Sequence, residues 1–418
     1  MGGNDTDSRI NPFVSNLSFL NALISFSIAI FSYTIIYTLS YYHKSILLAG
    51  FGISAGEALT LAFLIPIGSL IDRGHSFRLM MLGAILYGAF LASLYFTISL
   101  SQLAFLAFLV VPALIASLIL FQNVFKSSLN SFIAKAISNN LLGQNYARIL
   151  TMETIGTAVA FGVFAAAAYY SFISWIYLWP GVFTVGFSLL VFMFLAGSQR
   201  KKVLEQEAKV RRPTIRESFR HLGKIKNFVI PLITSKLFML VGIIATTFFY
   251  IPTAVYLSIS PTIGAIALLI AYILGALWGK AGEMILRRWS NLGRLFVTLA
   301  TALDVVTFAV IVFSIEHHLA GLFIAAILIS SPGPLLISGA LSYEVEVIGK
   351  ENRGMFGAVQ RLIVASVYIF LGASLTFVFT KSFALLWVVA LVASAGSFYA
   401  TLVLPWKSGS AKEHLQAI

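Results

Sequence analysis

The sequence contains no cysteine, which excludes a disulfide framework and any thiolate-ligated metal site. Charge is scarce as well: Asp, Glu, Lys and Arg make up only 10% of the 418 residues, and just 15 of them are acids. The connections on the side away from the chain ends are short and nearly free of acids, Glu316 being the exception. A membrane-embedded sugar transferase would need acidic or histidine-bearing loops there to hold a metal or a diphosphate, so that class is disfavoured. There is no nucleophile elbow, no P-loop and no H-E-x-x-H zinc motif, so neither an enzyme nor an ATP-driven pump is expected, and no cofactor. Sustained alternation of polar and apolar residues is missing too, which excludes a β-barrel. No basic stretch followed by a short apolar core opens the chain, so a cleavable signal is not expected and the first apolar segment stays.

What the chain does have is long apolar runs. Hydrophobic residues are 59% of the total and the mean hydropathy is +0.94, far outside the soluble range. Twelve stretches between residues 17 and 405 are long enough to cross a hydrocarbon core of about 30 Å as helices of roughly 20 residues. In lipid such segments satisfy their backbone hydrogen bonds internally. An all-α polytopic membrane protein with twelve transmembrane helices is the expectation.

The net charge of +13 is distributed by topology. With the N-terminus in the cytoplasm, all but three of the 28 Lys and Arg lie in or beside cytoplasmic segments, the exceptions being Lys44, Lys381 and Lys236. This is the positive-inside pattern, and attraction to an anionic inner leaflet accounts for the excess. Nucleic-acid binding is not expected. Both termini are placed in the cytoplasm, and the chain is expected in the cell membrane as a monomer.

One long polar segment, residues 198–227, separates two sets of six helices. Thr214 and Glu217 have capping-box spacing within it, and Ile215, Phe219 and Leu222 share a helical face among basic residues, which predicts a short amphipathic helix on the inner surface. The expected domains are therefore 1–197, the linker 198–227, and 228–418.

The two halves also share motifs. "GSLIDRGHSFR" places Gly68, Asp72, Arg73 and Arg78 after the second span, and "GKAGEMILRR" places Gly279, Glu283, Arg287 and Arg288 after the eighth. Likewise "GQNYAR", ending at Arg148, follows the fourth span and "GKENRG", containing Arg353, follows the tenth. Repeated six-helix halves joined by a cytoplasmic loop are an architecture of secondary transporters.

On these residues the chain resembles the major facilitator superfamily along essentially its whole length. Gly68, Leu70, Asp72 and Arg73 match the family's loop signature G-x-L-x-D-R-x-G-R-[RK], whereas His75 and Ser76 depart from it. The resemblance implies two pseudo-symmetric six-helix bundles and a cytoplasmic latch. Asp72 would face the helix start at Arg353 and Gly354, and Glu283 the helix start at Arg148, each acid being stabilised by the positive end of a helix. A Gly-Pro motif common in the fifth helix of the family's antiporters is missing from "ETIGTAVAFG" (153–162).

Several polar residues fall inside the spans. Glu57 lies 13 residues after Lys44 and 15 before Asp72, about 20 Å from either end of its helix. A desolvated carboxyl group favours its protonated form, so Glu57 is a candidate for proton coupling, for a substrate contact, or for a structural hydrogen bond. Gln122, Asn123, Lys126 and Asn130 extend the fourth helix into a cavity also offered Asn21, Ser25, Tyr33 and Tyr37 from the first. Ser330 and Ser331 stand beside the "SPGP" of the tenth helix, which should break it near mid-membrane. Lys236 is a candidate to attract an anion. Asp304 is expected to pack inward. The function expected is a secondary active transporter of a small-molecule substrate, coupled to protons. The alternatives are an uncoupled facilitator, and a lipid flippase or non-transporting receptor on the same fold.

Overall fold

The computed structural model describes residues 12–42, 45–71, 75–100, 104–136, 142–173, 175–195, 223–224, 226–288, 293–333, 335–337, 344 and 353–404. Within them run twelve helices. The first six are α1 (Pro12–Tyr41), α2 (Leu47–Leu70), α3 (Ser76–Leu100), α4 (Ala104–Ala136), α5 (Leu142–Tyr169) and α6 (Trp175–Leu195). The last six are α7 (Lys226–Tyr256), α8 (Pro261–Arg288), α9 (Gly293–Glu316), α10 (Ala320–Ile329), α11 (Arg353–Lys381) and α12 (Phe383–Leu402). Among the described residues there is no strand. Ten helices contain spans long and apolar enough to cross a membrane, and shorter apolar pieces lie in α2 and α10. The chain is a multi-pass membrane protein.

The helices are apolar on nearly every face, yet their spacing still separates a lipid side from a packed side. In α9, Leu295, Leu299, Val306 and Phe313 are exposed, whereas Val297, Thr301, Phe308, Ile311 and Ile315 are buried. Both sets recur at three, four or seven residues, one or two turns of a single helical face. Asp304 falls in register between Thr301 and Phe308, on the side where Thr301 Oγ1 meets Thr401 Oγ1 of α12 at 3.1 Å. Of the predicted amphipathic linker helix, the capping box and its apolar face fall outside the described residues.

α10 ends at Ile329, which limits it to 10 residues and about 15 Å. Prolines 332 and 334 supply no N–H groups to continue the ladder. The chain instead tightens into turns, with Ser331 N–H donating to Leu328 O at 3.1 Å and Gly333 N–H to Ser330 O at 3.0 Å. The break predicted from "SPGP" is therefore located at residues 330–332, and helix resumes at Gly333.

Three connections at the end of the molecule opposite the chain termini close in one way. Ser171, Ser258 and His318 take φ values of 60°, 61° and 53°. In each case the next residue donates its N–H five residues back: Phe172 to Ala167 O at 2.8 Å, Ile259 to Ala254 O at 2.9 Å, and Leu319 to Ser314 O at 2.8 Å. This closure usually carries glycine, because an L side chain costs about 1–2 kcal/mol in the left-handed region. Ser258→Gly should raise the unfolding free energy by about 1 kcal/mol. Two residues on, Ser260 Oγ accepts the Ile263 N–H at 3.2 Å and caps α8, so Ser260→Ala should lower it by about the same amount. Thermal unfolding in detergent reads both signs, and equal shifts in one direction would contradict this account.

Within the first six helices, α3 packs on α4 and α6, α1 on α5 and α6, and α2 on α4. Within the last six, α12 packs on α7 and α9, and α10 on α9. The two sets meet along α2 with α11, α5 with α8, and α1 with α7. The α2/α11 seam is tight near the end opposite the termini. A Cβ on Gly50 would sit 2.7 Å from Thr376 Oγ1 and 3.0 Å from Gly372 O, and Ser54 Oγ accepts the Ala373 N–H at 3.0 Å. A second closure of that end joins α1 to α8, where the Tyr33 and Tyr272 hydroxyls meet at 2.6 Å. Phe161 of α5 wedges against both rings, with centroids 4.8 Å from Tyr33 and 5.2 Å from Tyr272.

Candidate functional site

The site begins with close helix packing. A Cβ on Gly56 of α2 would lie 2.6 Å from Ile119 Cβ and 2.9 Å from Ala116 O of α4. Only glycine allows that approach, and it brings short polar side chains on the two helices into reach of one another. Asn123 of α4 donates from Nδ2 to Glu57 Oε1 at 3.2 Å and to Thr60 Oγ1 at 3.0 Å. The Thr60 hydroxyl in turn donates to Gly56 O at 2.8 Å. Glu57 is 4% exposed, so its carboxyl group faces α4 inside the first bundle.

One turn along α4 stands Lys126, whose Nζ lies 3.1 Å from Glu153 Oε1 on α5. Asn21 of α1 donates to Glu153 Oε2 at 3.5 Å and to Ile149 O at 3.5 Å. α1 reaches Glu153 because Gly156 lets the two backbones touch: a Cβ there would sit 2.0 Å from Ala22 O. Unlike Glu57, this pair is partly open, with side-chain exposures of 39% for Lys126 and 31% for Glu153. One turn further from the termini, Ser25 Oγ and Gln122 Oε1 are buried without a hydrogen-bond partner. Ser25 is four residues from Asn21 and Gln122 four from Lys126, so each shares a helical face with a member of the triad.

The second bundle holds a counterpart. Lys236 of α7 forms an ion pair with Glu344, in the segment between α10 and α11. Its Nζ also donates to Gln360 Oε1 of α11 at 3.1 Å and lies 5.8 Å from the Phe356 ring centroid. Each bundle thus sets an ammonium, a carboxylate and a carboxamide together on its first helix, its fifth helix, and its fourth helix or the chain following the fourth. The members are permuted: amide, carboxylate, ammonium in Asn21, Glu153, Lys126, and ammonium, amide, carboxylate in Lys236, Gln360, Glu344. The second triad is more buried, at 23% for Lys236 and 11% for Glu344. Lys236 was expected to attract an anion from the cavity, whereas the structure gives its charge a carboxylate partner already.

The remaining predicted residues fall as follows. Tyr33 belongs to the aromatic closure and not to an open wall. Tyr37 packs beside Tyr41 and Phe164, with centroids at 6.2 Å and 5.9 Å. The Ser330 hydroxyl donates to Ile327 O of its own helix at 2.7 Å, and Ser331 is buried at the break. Gly68 is half-buried, with open space where a Cβ would project. Arg78 is exposed and Arg148 half-buried. Asp72 and Arg73 and the side chains of Asn130, Glu283, Arg287 and Arg353 lie outside the described residues, so the predicted latch does too. Sequence reading missed Thr60, Tyr272, Glu344, Gln360 and above all Glu153. Glu153 lies only five residues past Arg148, about 7.5 Å along the helix, so the depth count that singled out Glu57 does not find it. Among the described residues no cluster of three or more His, Asp or Glu is placed to hold a metal ion.

Comparison with solved structures gives the fold a second footing. The xylose transporter XylE from E. coli, in a partially occluded inward-open conformation, superposes with a TM-score of 0.69 at 11% identity, covering 93% of this chain and 95% of that one. A bacterial homologue of the iron transporter ferroportin, in an outward-facing state, superposes at 0.65 with 15% identity, over 93% of this chain and 98% of that one. Comparison with curated proteins returned no sequence match. The family model described as Major Facilitator Superfamily matches residues 17–373. With most of its length matched and its twelve helices arranged as two six-helix bundles, the chain belongs to the Major Facilitator Superfamily of transporters.

Proposed function

We propose that the chain is a secondary active transporter that moves a small solute by alternating access and couples its movement to protons. The observation that carries this reading is the row of polar groups across α1, α2, α4 and α5: Asn21, Glu57, Asn123, Lys126 and Glu153, inside helices that otherwise face lipid or apolar core. An ionisable group at the centre of a span costs about 2.5–3.5 kcal/mol on the insertion scale, so such groups mark a pathway. Glu57 is the proposed proton carrier, and the half-open Lys126–Glu153 pair the solute contact. Two solved relatives of the fold are described as proton:xylose symporters, which supports the coupling.

The basic residues support placing both termini in the cytoplasm and the chain in the cell membrane. Segment 198–227 then acts as the cytoplasmic linker between domains 1–197 and 228–418. On that orientation the Tyr33–Tyr272 and Gly50–Gly372 closures seal the outer side, and the site opens inward. Asp72 with Arg353, and Glu283 with Arg148, are the proposed inner latches of the opposite state.

Proteoliposomes test the coupling. With a panel of labelled sugars, amino acids, organic anions and nucleosides, an imposed pH gradient should drive accumulation of at least one solute. Glu57→Gln should abolish that accumulation while leaving solute exchange across the membrane intact. Full pH-driven accumulation by Glu57→Gln would overturn the role of Glu57. Downhill movement indifferent to the gradient would establish the uncoupled facilitator instead.

A further inference from the structure

The arrangement around Lys126 and Glu153 is specific enough to name a class of solute. We infer that the site binds a zwitterion carrying a primary ammonium and a carboxylate close together, as an α-amino acid does, by inserting it into the Lys126–Glu153 pair. This rests on the transporter reading above and narrows it.

The argument is one of charge and of hydrogen-bond count. The triad of Asn21, Lys126 and Glu153 is neutral as a set, with both of its charged members about one-third exposed. A cation inserted there leaves Lys126 without its counter-charge, and an anion does the same to Glu153. Either leaves an unmatched charge within the membrane, where screening by water is weak. A zwitterion replaces one ion pair by two and keeps the sum at zero.

An ammonium has three donors to place. Gln122 and Ser25 stand one turn from Lys126 and Asn21 on their helices, and Gln122 Oε1 and Ser25 Oγ are buried with no hydrogen-bond partner, which adds two acceptors to the Glu153 carboxylate. Buried acceptors without a donor are uncommon and costly, and an arriving ammonium would satisfy both. The solute carboxylate would then take the Lys126 ammonium and the Asn21 amide. Asn21 holds its present partners only at 3.5 Å, the long limit of a hydrogen bond, so exchanging them loses little. The second bundle's triad lacks this opening. Lys236 there donates to Gln360 and pairs with Glu344 in a more enclosed place, which leaves it the structural member of the two.

The test is thermal unfolding of the purified full-length chain in detergent with three matched sets of probes. The first set is L-serine, L-leucine and L-phenylalanine. The second is their methyl esters, which keep only the ammonium, and the third their N-acetyl derivatives, which keep only the carboxylate. D-xylose serves as the uncharged comparison. At least one free amino acid should raise the unfolding midpoint in a saturable way, and its ester and N-acetyl forms should bind about ten-fold more weakly or worse. Lys126→Gln should remove the penalty for the ester, because the variant no longer presents a charge to neutralise. An ester or N-acetyl form that binds as tightly as its parent overturns the inference, and so does a panel in which no free amino acid binds. The comparison of ligands on the unmodified chain decides the matter even where a variant fails to fold. If D-xylose binds and is accumulated under a pH gradient while the amino acids are ignored, the zwitterion inference fails and the transporter reading stands. If a free amino acid binds but no solute is moved in proteoliposomes, the transporter reading fails instead.

Discussion

Gly156→Ala should yield a chain that folds poorly or not at all. The added Cβ would lie 2.0 Å from the Ala22 carbonyl oxygen and 3.0 Å from Ala22 Cα. Those are backbone atoms in the middle of another helix, so no side chain can rotate out of the way. α1 and α5 must move apart along their whole contact, and overpacking of this kind costs about 1–3 kcal/mol or more. The damage extends to the site, because Asn21 and Glu153 meet across that same contact at 3.5 Å. The measurement is the thermal unfolding midpoint in detergent, with Gly162→Ala as the control. Gly162 lies on the same helix, but its nearest neighbour would be Leu269 Cδ2 at 3.9 Å, ordinary van der Waals contact. Equal stability of the two variants would contradict the close approach of α1 and α5.

Gly372→Val should do something different: leave the fold intact and change which state is occupied. Its Cβ would fall 2.8 Å from Ser54 Oγ and 3.2 Å from Gly50 O, atoms that belong to the opposite bundle. The clash falls between the bundles, at the α2/α11 seam, and within neither of them. If the states are rocking positions of two bodies, the closed α2/α11 seam becomes inaccessible. Moving a two-state population from one extreme to the other takes about 5.5 kcal/mol, and forcing the larger side chain against Ser54 and the Gly50 carbonyl costs about 1–3 kcal/mol or more, enough to deplete the closed state. Spin labels at the ends of α2 and α11 near the seam should report a longer distance than in the parent chain. Transport by the variant should fall to background. An unchanged label distance would show that the seam accommodates the side chain.

The contrast between these two glycines also shows what could be read without coordinates. Twelve apolar segments were legible because the lipid core sets a length and tolerates few charges. The break in α10 was legible because Pro332 and Pro334 cannot continue a helical ladder. The depth of Glu57 followed from counting residues between polar ends. Its partner did not, because the Asn123–Glu57 bond depends on how α2 and α4 are rotated against each other. Gly56 sets that rotation through a contact sequence spacing does not encode. Tyr33 and Tyr272 are 239 residues apart, and Lys236 and Gln360 are 124 apart. Nothing in either local pattern points to the other member. Glu153 follows Arg148 by only five residues, so in the sequence it reads as a charge at the edge of a span and not as one within it.

The paired triads have an electrical consequence. When a bundle rocks, every charge fixed to it is displaced through the membrane potential, at about 2.3 kcal/mol per elementary charge per 100 mV for a full crossing. Lys126 travels with Glu153, and Lys236 with Glu344, so each bundle shifts a matched pair and the displaced charge of these four side chains nearly cancels. The empty carrier is then close to voltage-neutral in its return step as far as these groups are concerned. On the proposed coupling, current that accompanies turnover then reports the cargo together with the protonation of Glu57, and its ratio to solute flux would count the protons carried per cycle.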